Sequence, residues 1–219
     1  MPEGLPAPVG PGGPGRLARV GILLSGRGSN FLAIQRAIAR GEVPAEIALV
    51  VSNRPAAPGL ATARELGLAA VAIPHGAGAN HRAAHEAEVI AALEAARVDW
   101  ICLAGYLRLL SPAFVARFRG RILNVHPSLL PAFPGLDAQR QALEYGARFS
   151  GCTVHLVDEG LDSGPIVVQR AVPVLEDDTP ASLAARILEE EHRAYPEALR
   201  RLLTEPWRLA GRRLMFGAA

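Results

Sequence analysis

From Ala18 onward the chain alternates short aliphatic runs with longer amphipathic segments, and no other feature limits its fold so tightly. Val20-Gly21-Ile22-Leu23-Leu24 is a nearly continuous apolar run, as expected of a parallel strand covered on both faces. It ends at Ser25-Gly26-Arg27-Gly28-Ser29-Asn30, after which Phe31, Ile34 and Ile38 recur at helical spacing. The unit then repeats. Ile47 to Val51 reads as a strand, Gly59 to Leu66 as a helix and Ala70 to Ile73 as a strand. His81 to Ala96 reads as a helix with Val89, Leu93 and Ala96 on one face, and Asp99 to Leu103 and Arg121 to Val125 as further strands. The alternation predicts an α/β fold with a mostly parallel, twisted sheet and helices on both faces. Ligands of such sheets bind beyond the carboxyl ends of the strands, which directs attention to the segments after Leu24, Leu103 and Val125.

The second half has another rhythm. Pro127 to Gly135 holds three prolines and reads as an irregular loop, followed by a short helix from Asp137 to Tyr145. Cys152 to Val157 and Pro165 to Val174 read as strands of an antiparallel pair. Thr179-Pro180 is a helix start, because Pro is tolerated in the first turn. That helix is expected to run to Leu203, with Pro196 marking a kink or break. Trp207 to Leu209 and Arg213 to Phe216 suit a closing hairpin around Gly211. Residues 1–16, mostly Pro, Gly and Ala, have little to bury and are expected to form a disordered tail on a single domain spanning 17–219.

Composition removes several chemistries. Hydrophobic residues make up 50% of the 219, enough for a buried core. All 23 basic residues are Arg, so the chain can neither form a Schiff base through Lys nor supply the Lys of a P-loop. A net charge of +2 gives no argument for a nucleic-acid partner. Two cysteines, Cys102 and Cys152, are too few for a disulfide scaffold or thiolate zinc site, and Cys102 reads as a small buried hydrophobe. His81 and His85 share a helix face, but Arg82 stands where a zinc protease needs Glu, and no metal is expected. No apolar run is long enough to span a bilayer and no secretory signal is read, so a soluble, cytoplasmic protein is expected.

Two segments carry the chemistry. The turn from Ser25 to Asn30 lies between a strand and a helix, where free N–H groups and the helix dipole favour an anion such as a phosphate monoester. The competing reading is a plain tight turn with Ser29 or Asn30 as N-cap. A dinucleotide fits less well: Phe31 stands at the third glycine of the fingerprint, although Arg54 suits the 2′-phosphate of NADP. In Asn124-Val125-His126-Pro127, an extended backbone puts Asn124 and His126 on one face at a strand's carboxyl end. An amide donor beside an imidazole suits acyl or formyl transfer, where a carbonyl oxygen becomes an anion. The bland alternatives are a turn Asn and a structural His. Asp162, in the Gly-rich loop Asp158 to Pro165, is placed to pair with His126 and favour the imidazolium. A hydrolase triad through Ser128 is discounted, since the G-x-S-x-G elbow is absent.

Taken together, Ser25-Gly26-Arg27-Gly28-Ser29-Asn30, Leu103-Ala104-Gly105-Tyr106-Leu107-Arg108-Leu109-Leu110-Ser111-Pro112, Asn124 to Pro131 and Leu161-Asp162-Ser163-Gly164-Pro165 resemble the phosphoribosylglycinamide formyltransferases, folate-dependent enzymes of purine biosynthesis. The resemblance runs from about Arg19 to Pro196. It implies a formyltransferase-like fold: a Rossmann-like N-terminal half at 17–118 that binds the nucleotide phosphate, and a catalytic, folate-binding half at 119–219 with added strands and a long helix. It further implies that Gly28, Ser29 and Asn30 hold the ribonucleotide phosphate and that Glu191 orients the glycinamide end. Arg82 would meet the folate tail, and Leu107, Arg108, Leu109 and Leu110 would line the pterin pocket opposite Asp158 to Leu161. Asn124 and His126 would act on the formyl group of 10-formyltetrahydrofolate, the co-substrate, with Asp162 tuning His126. For Glu191 the bland alternative is a solvated helix charge.

Asp137-Ala138-Gln139-Arg140 stands where relatives often carry histidines, and Ala132 where a basic residue is common. The expected partners are small molecules, with no nucleic acid or membrane, and the expected state is monomer or homodimer. Alternatives are a formyltetrahydrofolate hydrolase and a non-catalytic NADP- or nucleotide-binding protein. The stretches outside Arg19 to Thr204, about 20 residues or fewer each, are shorter than the extra domains of related transferases and hydrolases.

Overall fold

The computed structural model describes residues 16–76 and 79–217, so the expected tail lies outside the described residues except for Arg16. In chain order the elements are β1 (Ala18–Leu24), α1 (Ser29–Ala39), β2 (Ala45–Ser52), α2 (Pro58–Glu65), β3 (Ala70–Ala72), α3 (Ala79–Ala95), β4 (Trp100–Leu103) and α4 (Pro112–Arg117). There follow β5 (Ile122–His126), α5 (Ala138–Tyr145), β6 (Phe149–Leu156), β7 (Ile166–Pro173), α6 (Pro180–Thr204), β8 (Trp207–Ala210) and β9 (Arg213–Phe216). Seven strands form one sheet in the order β3-β2-β1-β4-β5-β6-β7. The first five run parallel, and β6 and β7 are antiparallel additions. β8 and β9 pair separately as the expected hairpin.

The sheet is apolar on both faces because it is covered on both. Val20, Ile22 and Leu24 of β1 pack with Phe31 and Ile34 of α1 and with Leu183, Ile187 and Leu199 of α6 in the larger core. Leu23 points the other way, into a second layer with Leu93 of α3, Phe114 of α4 and Ile122 of β5. Alternation of side chains along a strand sends neighbours to opposite layers, which is why the run lacks polar breaks. From β1 the chain winds outward to β2 and β3, then returns to lay β4 on the other side of β1. That reversal opens a crevice at the carboxyl ends of β1 and β4, the position where such sheets hold ligands.

Two local expectations are corrected and one helix is added to those expected. The six-residue helix α4 is too short to announce itself by periodicity; its signal is Ser111-Pro112, with the Ser111 hydroxyl capping the Phe114 N–H at 3.2 Å. Asp137 is not the first residue of α5 but its N-cap, in a left-handed conformation at φ 56°. Pro196 neither ends nor divides α6, which is unbroken from Pro180 to Thr204. The proline removes one intrahelical hydrogen bond, and burial of Ala194, Tyr195, Ala198 and Leu199 on either side holds the helix in place. The Tyr195 hydroxyl reaches the backbone carbonyls of Leu123 at 2.8 Å and Leu103 at 3.1 Å, pinning α6 beneath β4 and β5.

Candidate active site

At the carboxyl end of β1 the backbone turns into α1 through Gly28, whose φ of 73° places it in the left-handed region. A side chain there would be strained, and its Cβ would come within 3.2 Å of Leu24 and 3.3 Å of the Gly59 Cα. Gly28 itself is the N-cap; Ser29 and Asn30 are the first helical residues, so neither caps the helix as the tight-turn reading required. Among the described residues no side chain accepts from the first-turn N–H groups of α1, the arrangement that favours an anion. Ser25, buried at the root of the turn, fastens the crevice. Its N–H donates to Gly105, its hydroxyl donates to Asn53 Oδ1 at 2.6 Å, and that hydroxyl accepts the Leu107 N–H at 2.9 Å.

The Asn30 side chain donates to Glu191 Oε2 at 2.7 Å. Glu191 is only 8% exposed, which overturns the solvated-charge alternative. Burial pushes its carboxyl above the usual carboxylate range, with the Asn30 bond pulling the other way. The buried Glu191 carboxyl and the Asn30 Oδ1, which has no hydrogen-bond partner among the described residues, offer acceptors to an amine or amide.

Two strand spacings from β1, about 10 Å, the end of β5 carries the second group. Ile122 belongs to the α3 side of the sheet, and by alternation Asn124 and His126 share that face while Leu123 packs toward α6. His126 Nδ1 lies 3.3 Å from Asp162 Oδ2, and His126 Nε2 donates to the Phe133 carbonyl at 2.8 Å. An acceptor at each ring nitrogen is fully matched only by the doubly protonated imidazole. Asp162, at φ 48° in the loop between β6 and β7, also accepts the Gly135 N–H at 2.9 Å. One carboxylate thereby ties the β6–β7 loop to the Pro-rich segment.

A fourth member escaped the sequence reading. His155 of β6 stands opposite Asn124 in the antiparallel register. Its Nε2 lies 3.2 Å from Asn124 Nδ2 and 3.8 Å from Asp162 Oδ1. Burial pushes His155 below the usual histidine range. A buried His in Cys152-Thr153-Val154-His155 is a visible signal, but its partner depends on strand register, which composition does not encode.

The residues expected around a pterin also gather. Arg82 of α3 donates to the Leu109 carbonyl at 2.8 Å, joining α3 to the strap 107–110. Leu107 and Leu109 are 63% and 67% exposed, while Arg108 and Leu110 are half-buried. Glu86 accepts the Ser111 N–H at 2.9 Å and anchors the strap's far end. Cys102 is buried as expected, and burial pushes its thiol up to about 12. Among the described residues no group of three His, Cys, Asp or Glu side chains could hold a metal ion.

The model of the formyl transferase family matches residues 18–199, from β1 almost to the end of α6. The chain belongs to that family. Among formyl transferases it is 42% identical over 175 residues to the phosphoribosylglycinamide formyltransferase of Escherichia coli (strain K12), covering 80% of this chain and 82% of that one. It is 50% identical over 191 residues to the trifunctional purine biosynthetic protein adenosine-3 of Drosophila melanogaster, covering 86% of this chain. The matched stretch spans only 14% of that much longer relative. The crystal structure of glycinamide ribonucleotide transformylase 1 from Symbiobacterium toebii superposes with a TM-score of 0.87 at 47% identity, covering 92% of this chain and 95% of that one.

Proposed function

We propose that this formyl transferase moves the formyl group of 10-formyltetrahydrofolate to the free amine of 5-phosphoribosylglycinamide, a step of de novo purine biosynthesis that yields formylglycinamide ribonucleotide and tetrahydrofolate. The observation that carries the reading is the juxtaposition of Asn124 with an Asp162-paired His126 at one strand end. Relatives that share most of this chain and bear the transferase name support the same substrate pair.

The first-turn N–H groups at Gly28, Ser29 and Asn30 hold the ribonucleotide phosphate, and Glu191 orients the glycinamide end. The strap from Leu107 to Leu110 receives the pterin and Arg82 the acidic tail. The amine lone pair then attacks the formyl carbon, and the carbonyl π pair moves onto oxygen. The Asn124 amide and His126, whose Nε2–H exchanges the Phe133 carbonyl for the formyl oxygen, stabilise that oxyanion. Collapse breaks the bond to N10; the attacking nitrogen gives up one proton and N10 gains one. Holding both substrates side by side supplies the orientation that a free amine lacks in water. The partners are small molecules, the setting is cytoplasmic, and the chain acts as a monomer or homodimer.

His126→Ala tests the reading. Loss of the imidazole is expected to lower kcat by roughly 10²- to 10⁴-fold, while calorimetric titration still shows both ligands binding. Near-normal turnover would remove His126 from the reaction.

A further inference from the structure

We propose that His155 is a positioning residue for formyl transfer: its Nε2 lone pair fixes the Asn124 side-chain amide so that an N–H bond, not a lone pair, meets the forming oxyanion. The inference rests on the transfer reading and goes beyond it by assigning a role to a side chain in β6.

The hydrogen-bond logic runs outward from a group with no choice. His155 Nδ1 lies 3.0 Å from the Leu156 carbonyl, which only accepts, so Nδ1 carries the proton. In a neutral ring Nε2 is then an acceptor, and the atom 3.2 Å from it must be a donor: the Asn124 nitrogen. That nitrogen has two N–H bonds. One goes to His155 and the other is left for the formyl oxygen. Asn124 alone could present either its oxygen or its nitrogen in that place, so the aim of the amide is decided by its neighbour.

The ring has reason to stay neutral. His155 is 2% exposed, and loss of solvation outweighs every charge that faces it. Asp162 and Asp158 favour a proton on it, and His126 opposes one. Protonation would turn Nε2 into a donor and reverse the amide, setting the Asn124 oxygen against the developing negative charge. The Asp162 carboxylate therefore lies between two imidazoles with different duties: His126 Nδ1 at 3.3 Å and His155 Nε2 at 3.8 Å.

Two variants and one spectrum test this. His155→Leu removes the acceptor; kcat is expected to fall roughly ten- to a hundredfold, up to the effect of losing an oxyanion donor, with KM for both substrates little changed. His155→Gln places a carbonyl oxygen near the Nε2 position and is expected to restore kcat to within about threefold of the parent chain. Imidazole ¹⁵N shifts of the unaltered protein at pH 7 are expected to show His155 protonated on Nδ1 and bare on Nε2. An unchanged kcat in the Leu variant, a Gln variant no better than Leu, or a proton on Nε2 overturns the proposal. Should His155→Leu fail to fold, the Gln variant and the spectrum decide alone: kcat in the Gln variant must stay near the parent value. Turnover of the unaltered chain on glycinamide ribonucleotide tests the transfer reading separately, because the ¹⁵N measurement needs no activity.

Discussion

At the scale of single residues, the site works by sharing a few charges among many neighbours. Asp162 serves His126, the Gly135 backbone and, more distantly, His155. Burial gives two members opposite pH behaviour. His155 titrates below its unfolded value, which is near 6.5, so the unfolded chain takes up its proton first. The stability it contributes is complete above that unfolded value and is lost as pH falls through the folded one. Glu191 titrates above the usual 4.5; its contribution is complete below that and is lost as pH rises through its folded value. Urea unfolding as a function of pH should therefore show His155→Gln flattening the loss of stability below about pH 6.5, and Glu191→Gln leaving that limb unchanged. His85 and His192 are also pushed down by burial and keep part of that limb, so an acid limb no shallower in His155→Gln than in the parent chain would contradict the assignment. Glu191 enters only through the family resemblance, whereas Asn124, His126 and Asp162 are legible in the sequence because each stands in a short local pattern. His155 and Ser25 are not, because their meaning lies in partners 31 and 28 positions away, Asn124 and Asn53.

Elements place these residues, and two of them can be tested without touching the chemistry directly. Gly28 holds the entry to α1 at a positive φ against Leu24 and Gly59. Gly28→Ala is expected to cost about 1–2 kcal/mol from the left-handed backbone alone, and to weaken ribonucleotide affinity more than folate affinity in paired titrations. Equal effects on both ligands would detach this turn from the phosphate. At the other end of the fold, Thr179 accepts from Ser182 N at 3.2 Å and Ser182 returns a bond to the Thr179 N–H, a reciprocal cap on α6. Thr179→Ala should lower stability by about 1 kcal/mol and Tm by about 2–4 °C, with kcat unchanged. The strands are legible because apolar runs and glycine turns are local signals. The short α4 is not, since six residues give too few turns for a period. Pro196 misleads because local propensity names a break where the buried face of α6 continues.

On the scale of the whole molecule, strand order decides where chemistry can happen. The return of the chain from β3 to β4 brings the glycine turn, the strap 107–110 and the end of β5 to one edge of a single sheet. No helix among the described residues is long and apolar enough to cross a membrane. The proposed phosphate anchor at the glycine turn, about 10 Å or two strand spacings from the proposed oxyanion site, suits an acceptor carrying its amine at one end and its phosphate at the other. Water needs no such anchor. The decisive measurement is therefore release of tetrahydrofolate from 10-formyltetrahydrofolate, followed with glycinamide ribonucleotide present and with buffer alone. Rapid release matched mole for mole by formylated ribonucleotide, with little in buffer, is the predicted result. Equal rates in both, or release without formylated product, would contradict the account.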